Sequence, residues 1–272
     1  MQFVSPTFVA VDWSGAVRGV RKKLWLAEAR DGRLVRLECG RDRDEVVGHL
    51  LGFAKHGREL VVGLDFAFSF PEWFLRWRGV AEARGLWSLA ARHGEEWLSE
   101  CAYPFWGKKG KRKPTPGQTP SLFRRMESEH LPVRGIAPKS VFQIGGAGAV
   151  GTGSLRGMPS LTRMQDEGFA IWPFDAARLP LVFEIYPRLL TGRVTKSSAV
   201  ARRLYLAQRF ADQDRSLLRV AAAGEDAFDA AISALAMCAS ADSIARLPVE
   251  SDETYRLEGR IWRALEDPLF PL

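Results

Sequence analysis

Two apolar segments that each end in an aspartate constrain the fold of this chain most strongly. Residues 7–12 predict a buried strand that ends at Asp12, and a Ser-Gly turn follows one residue later. The segment ELVVGLDFAF contains a second such strand, which ends at Asp65. A carboxylate beside buried apolar residues is costly unless it has a partner. Both aspartates are therefore candidate functional residues, and a turn acid that bonds its own backbone is the alternative for Asp12.

The stretch between these two segments predicts a hairpin and a helix. Residues 23–29 and 33–38 have the composition of strands, and Asp31-Gly32 between them is a strong hairpin signal. Residues 43–56 carry apolar side chains at helical spacing. The predicted order of elements is therefore strand, strand, strand, helix, strand.

This order is the opening pattern of an RNase H-like α/β fold, and we predict a mixed sheet with flanking helices. In that fold the first strand is central and the fourth strand lies parallel beside it, so Asp12 and Asp65 are expected to be neighbours. Ligands of open α/β sheets bind at the carboxyl ends of the strands. A chain of 272 residues can bury one core, and we predict a single domain over residues 1–272.

A long segment follows the fourth predicted strand. Residues 66–180 are aromatic-rich, basic and rich in Gly and Pro, with one helix expected at residues 80–99. Because a structureless connection of this length is uncommon, we predict an insertion or subdomain within the domain. Beyond it, residues 181–186 predict a strand, and residues 196–212 and 225–241 predict helices.

Three further acids lie in the last predicted strand and helix. Glu184 interrupts an apolar strand, and a buried ion pair with an arginine is its alternative explanation. Asp226 and Asp229 share one helix face, and the helix dipole alone favours acids in a first turn. These explanations account for each acid separately. A single function explains all of these acids together: carboxylates on rigid elements can hold two Mg²⁺ or Mn²⁺ ions for phosphodiester hydrolysis.

The motifs around these acids also carry a family resemblance. The segments VAVDWSG, VVGLDFAF, FEIYP and EDAFDAAISAL together resemble the family called domain of unknown function 429, which is described as predicted nucleases with an RNase H-like fold. The last segment is also similar to the final motif of Holliday-junction resolvases. The resemblance implies that Asp12, Asp65, Asp226 and Asp229 bind the metal ions, and Glu184 matches the acid of the family's strand motif as a further catalytic residue.

The resemblance covers only the two ends of the chain. It extends over about residues 1–70 and 180–242 and says little about the segment between them. The resolvases carry a glutamate on the fourth strand where this chain has Asp65. They also lack the long middle segment. Both differences bear on the substrate more than on the fold.

Basic and glycine-rich segments predict contacts with phosphate. The net charge of +7 favours anionic partners, nucleic acid above all. A basic run is the candidate backbone-binding surface, with a solvated loop as its alternative: Lys108, Lys109, Lys111, Arg112 and Lys113. The segment GGAGAVGTGSLRG and the residues before it are candidate phosphate contacts, although a flexible loop is the favoured alternative: Lys139, Ser140, Gly145 and Gly146.

Composition indicates the cellular location and narrows the class of function. No window has the roughly eighteen uncharged apolar residues of a membrane span, no signal peptide is recognised, and three scattered cysteines predict no disulfide framework. We therefore expect a cytoplasmic protein without a membrane partner. The predicted function is a divalent-metal-dependent nuclease. The alternatives are a phosphotransferase or ATP hydrolase of the actin-like class, and a nucleic-acid-binding protein without catalysis.

Overall fold

The computed structural model describes residues 6–264 apart from residues 58, 116, 118 and 130–137. Six strands lie in one sheet. Their bounds are β1 Thr7–Asp12, β2 Trp25–Arg30, β3 Arg33–Glu38, β4 Leu60–Leu64, β5 Ala170–Trp172 and β6 Leu181–Glu184.

Helices account for most of the remaining regular structure in the described residues. Their bounds are α1 Val20–Lys23, α2 Arg43–Lys55, α3 Glu72–Trp77, α4 Ala83–Glu100, α5 Arg125–Glu129, α6 Val150–Asp166, α7 Pro187–Thr191, α8 Ala199–Arg209, α9 Arg215–Ala223, α10 Glu225–Ala239, α11 Ala241–Ile244 and α12 Glu253–Glu258. In the described part of the chain, none of these helices has the length and apolar character needed to cross a membrane.

The sheet is mixed, with strand order β3-β2-β1-β4-β6-β5. The first three strands form an antiparallel meander, and β4 and β6 run parallel to β1. The short edge strand β5 pairs with β6, also in parallel. This architecture is consistent with an RNase H-like fold, and the prediction of an α/β mixed sheet with flanking helices is confirmed.

Side-chain alternation along the strands divides the core into two layers. Val9 and Val11 of β1 face a cluster formed with α2, α4 and α6, whereas Phe8 and Ala10 face a cluster formed with α8, α9 and α10. Such period-2 alternation between two buried faces is expected for a central strand covered by helices on both sides. The sheet is therefore the middle layer of an α/β/α arrangement.

The segment after β4 packs into this same core. Apolar side chains of α3, α4 and α6 share one cluster with β1 and β4, and the segment also supplies the edge strand β5. The glycine-rich stretch differs from its favoured interpretation as a flexible loop, because its second half begins the 17-residue helix α6. Close packing explains why this helix contains glycine: a Cβ added at Gly157 would lie 2.7 Å from the ring of Phe66.

Helix α10 approaches the sheet closely enough to require a glycine. A Cβ added at Gly63 of β4 would lie 2.7 Å from Met237 Sδ and 2.8 Å from Ile185 Cγ2. We expect Gly63→Ala to lower the free energy of unfolding by about 1–3 kcal/mol, as overpacking does. Gly48→Ala is the control, because Gly48 lies on α2 with nothing within 4 Å of an added Cβ, and there alanine is expected to stabilise by about 0.5–1 kcal/mol. Urea denaturation of both variants measures the difference. Equal effects would contradict this account of the packing.

Candidate functional site

Strand pairing places the first two candidate acids side by side. Val11 of β1 is in register with Leu64 of β4, and the backbone N–H of Asp65 donates to the Val11 carbonyl at 3.1 Å. Asp12 and Asp65 therefore end adjacent parallel strands at the same level. Both side chains are partly buried, at the sheet edge where α/β proteins bind ligands.

Helix α10 brings the third acid to this edge. It packs on β1 and β2 with small side chains, so its first turns lie close to the strand ends. Asp229 is 7% exposed and lies close enough to Asp12 and Asp65 for its charge to raise their pKa values, so these three acids form a carboxylate cluster. Asp226, three residues earlier, is exposed at its rim. Burial and the neighbouring Glu225 raise the pKa of Asp226. Of the two helix acids, Asp229 is thus the one enclosed with Asp12 and Asp65.

Burial and mutual repulsion raise the pKa values of the clustered carboxyl groups. Burial raises the pKa of Asp12 well above its usual range, and the charges of Asp65 and Asp229 add to this effect. Burial, then the charge of Asp229, raises the pKa of Asp65 to about 8. Burial also raises the pKa of Asp229 to about 6, against the opposing effect of Lys196. Without a bound cation, the three groups are not all ionised at neutral pH.

A lysine that sequence reasoning did not single out completes the cluster. Lys196 lies between α7 and α8, and its ammonium group donates to Asp229 Oδ2. Its side chain is 13% exposed, and its charge lowers the pKa values of Asp12, Asp65 and Asp229. The two partners are 33 residues apart in sequence, so no local pattern predicts the contact.

Glu184, by contrast, is held in a buried ion pair. Arg124 donates to both of its carboxylate oxygens, at 2.5 and 2.8 Å, and the Phe68 N–H donates to one of them at 3.0 Å. The same guanidinium bonds Glu127 and the carbonyl of Glu258. The alternative explanation for Glu184, an arginine partner, therefore holds. Glu184 lies next to the cluster without joining it.

The described residues contain no preformed ligand set for a metal ion. No group of three or more His, Cys, Asp or Glu side chains in this part of the chain is arranged to hold one. One oxygen of the cluster nevertheless lacks a partner, because Asp229 Oδ1 is buried and makes no hydrogen bond to any described residue. A buried polar atom without a partner requires an explanation. A hard cation bound through carboxylate oxygens supplies one.

The predicted basic run forms an exposed turn. Its five Lys and Arg side chains are exposed, and Lys113 lies over the rings of Trp106 and Phe123. The hydrogen bond from Arg156 lowers the pKa of Glu95 most, burial opposes it, and the charges of Arg156, Arg43 and Lys108 lower the pKa further. Arg156 in turn donates to the carbonyl of Gly15, three residues after Asp12. Arg156 also donates to both carboxylate oxygens of Glu95, so the side chains between the turn and the carboxylate cluster carry both signs of charge.

Three of the four candidate phosphate contacts have a structural role, and the fourth lines a cavity. Ser140 is buried and donates to the Leu122 carbonyl at 2.5 Å. Gly145 packs against the Gly107 backbone, which an added Cβ would meet at 2.4 Å, and Gly146 is a turn residue with φ +76°. Only Lys139 of the four lines a cavity beside the cluster.

This cavity has a volume of about 280 Å³ and borders Asp65. Trp13, Lys139 and Tyr186 line it together with the start of α6. The indole Nε1 of Trp13 is buried without a partner among the described residues. Burial and the charge of Asp65 raise the pKa of Tyr186. The cavity therefore places Lys139 beside an acidic edge, which suits a polar substrate group.

The raised pKa of Asp65 predicts how stability depends on pH. Folding favours the protonated carboxyl, so the wild type loses stability as the pH rises from about 3.8 to about 8. Because Asn imitates the protonated form, we expect Asp65→Asn to melt several degrees above the wild type at pH 8 in EDTA, at about 2–4 °C per kcal/mol. At pH 4 the difference should vanish. Thermal melts at both pH values test this, and a pH-independent difference would contradict it.

Comparisons of this chain with protein families, with characterised proteins and with solved structures find no match.

Proposed function

We propose that this protein is a divalent-metal-dependent phosphodiesterase that acts on nucleic acid. One observation carries the proposal: Asp12, Asp65 and Asp229 come together from two strand ends and a helix, and a buried oxygen of Asp229 has no hydrogen-bond partner among the described residues. Three carboxylates that repel one another are unstable as a set unless protons or a cation offset their charge. The resemblance to predicted nucleases agrees with this proposal and stays a prediction.

The carboxylate oxygens fit a hard cation such as Mg²⁺ or Mn²⁺. Because no ligand set is preformed among the described residues, we propose that Asp12, Asp65 and Asp229 close around the ion, with Asp226 adding charge at the rim. A divalent cation held there supplies Lewis-acid activation of water and offsets the charge of a phosphate. Because Asp12 and Asp65 lie at the ends of adjacent strands, their backbone positions are fixed.

The protein's own groups orient the substrate in this proposal. The basic turn from Lys108 to Lys113 contacts the phosphate backbone electrostatically, without reading sequence. Lys139 binds a polar group of the nucleotide next to the scissile bond. Phe105, which precedes the basic turn, is only 4% exposed, so we assign it to the core and not to base stacking.

The cavity favours a second candidate, a phosphotransferase or ATP hydrolase of the actin-like class. Gly148, Val150 and Gly153 line the cavity at the start of α6, and a helix N-terminus favours phosphate groups. In that case Asp12 and Asp65 hold a metal–nucleotide. An increase in melting temperature with Mg²⁺-ATP, without cleavage of any nucleic acid, would support this candidate over the first.

A cleavage panel tests the proposed function. Single-stranded, duplex, branched and hybrid nucleic acids are incubated at low salt with Mg²⁺, with Mn²⁺ or with EDTA. We expect cleavage of at least one substrate with either metal ion and none with EDTA. Cleavage that persists in EDTA, or its absence on every substrate with both metals, would contradict the proposal.

A further inference from the structure

Lys196 reaches the carboxylate cluster from a loop that is built to place it. The loop joins α7 to α8, and its carbonyl groups accept hydrogen bonds from two buried arginines. Arg188 donates to the carbonyls of Gly192 and Val194, at 3.2 and 2.8 Å. Arg202 donates to the carbonyl of Lys196 itself. These three bonded carbonyls fix the loop from Gly192 to Lys196.

Burial of both arginines makes this anchoring specific. Arg188 is 8% exposed and Arg202 is 5% exposed, and Arg202 also donates to the Ala222 carbonyl at 3.0 Å. Buried guanidinium groups are costly unless they are well hydrogen-bonded. Two of them directed at one loop define where its lysine lies. An exposed lysine that forms a surface salt bridge with an acid has no such anchoring of its backbone.

The charges at the site point to the function of this lysine. Asp12, Asp65 and Asp229 carry three negative charges when all are ionised, and the Lys196 ammonium offsets one of them at Asp229 Oδ2. Arg188 and Asp226 lie close enough to act on Asp229 with charges of opposite sign, which offset each other, so one divalent cation balances the other two carboxylates. A second divalent cation on Asp229 would meet the ammonium at the same oxygen, with like charges a few ångströms apart.

We propose that the site binds one divalent cation and that Lys196 takes the place of a second as a catalytic residue. This inference rests on the proposed phosphodiesterase function. In hydrolysis, a water oxygen bonds to phosphorus, the bond from phosphorus to the departing oxygen breaks, and a water proton ends on that oxygen. Lys196 donates a hydrogen bond to a phosphate oxygen as negative charge develops there.

Counting bound Mn²⁺ by electron paramagnetic resonance and calorimetry tests this proposal directly. The wild-type protein is expected to bind one ion per chain, without the coupling that two adjacent ions give. Lys196→Met keeps the aliphatic stem and removes the charge, and we expect it to bind a second ion. Lys55→Met is the control, because Lys55 is 65% exposed and pairs with Glu167. It lies at the end of α2, on the side of the sheet where β4 begins.

Cleavage rates provide the second readout. We expect Lys196→Met to lower kcat by about 100-fold with little change in KM, and Lys196→Arg to restore part of it. A folding defect is excluded by melting curves of each variant. Two coupled Mn²⁺ ions in the wild type, with cleavage intact, would overturn this inference and leave the proposed function standing. A wild type that neither binds Mn²⁺ nor cleaves any substrate would overturn both.

Discussion

Replacement of Arg124 by methionine is expected to lower the free energy of unfolding by about 3–5 kcal/mol, the usual effect of breaking a buried ion pair from one side. Arg124 is 1% exposed and joins Glu127, Glu184 and the Glu258 carbonyl. It thereby connects α5, the end of β6 and the end of α12. Without it, two buried carboxylates lose their cation, and the donors that hold three elements together are lost.

An exposed pair of the same type provides the control for Arg124. Arg76 pairs with Glu72 four residues earlier on α3, but its side chain is 67% exposed, and such pairs contribute about 0.3–0.5 kcal/mol. We expect Arg124→Met to lower the melting temperature by on the order of 10 °C at neutral pH, and Arg76→Met by about 1–2 °C. Similar melting temperatures for the two variants would show that Arg124 does not anchor these elements.

Replacement of Asp12 by asparagine is expected to lower the rate of metal-dependent cleavage by on the order of 10³-fold. Asn keeps the size of the side chain and one acceptor oxygen, and it removes the charge that a hard cation requires. Because Asp12 repels Asp65 and Asp229, the variant should also melt at or above the wild-type temperature in EDTA. Loss of activity with retained stability separates a functional residue from a structural one.

Asp44→Asn is the matched control for Asp12→Asn. The Asp44 side chain is 95% exposed on α2, so its replacement should leave both cleavage and melting temperature near those of the wild type. Both variants are assayed on whichever nucleic acid the wild type cleaves best, with Mg²⁺ and with Mn²⁺. Wild-type activity in Asp12→Asn would remove this residue from the catalytic site.

Local sequence signals predicted the first half of the sheet well. The Asp31-Gly32 hairpin has positive φ at both residues, +50° and +74°, as a type I′ turn requires. The strands on either side and the helix after them were also predicted, because alternation, helical spacing and turn residues act over a few residues. The adjacency of Asp12 and Asp65 then followed from the topology of parallel neighbours.

Long-range packing set the features that sequence reasoning missed. The glycines of α6 weaken a helix on propensity alone, yet a Cβ at Gly151 would lie 2.1 Å from the Val141 carbonyl, so the packing requires them. The partners of Glu184 and Asp229 lie 60 and 33 residues away in sequence. An arginine or lysine at such a distance carries no pattern that connects it to its carboxylate.

Calorimetric titration of Mn²⁺ into the metal-free protein tests most directly whether Asp12, Asp65 and Asp229 form a divalent-cation site. At neutral pH we expect saturable binding with release of protons, since carboxyl groups of raised pKa must ionise to bind the ion. Asp65→Asn should weaken this binding by at least about tenfold, which is about 1.4 kcal/mol, whereas Asp44→Asn should not. No binding to the wild type, or equal binding to Asp65→Asn, would contradict the assignment of this cluster as the catalytic centre.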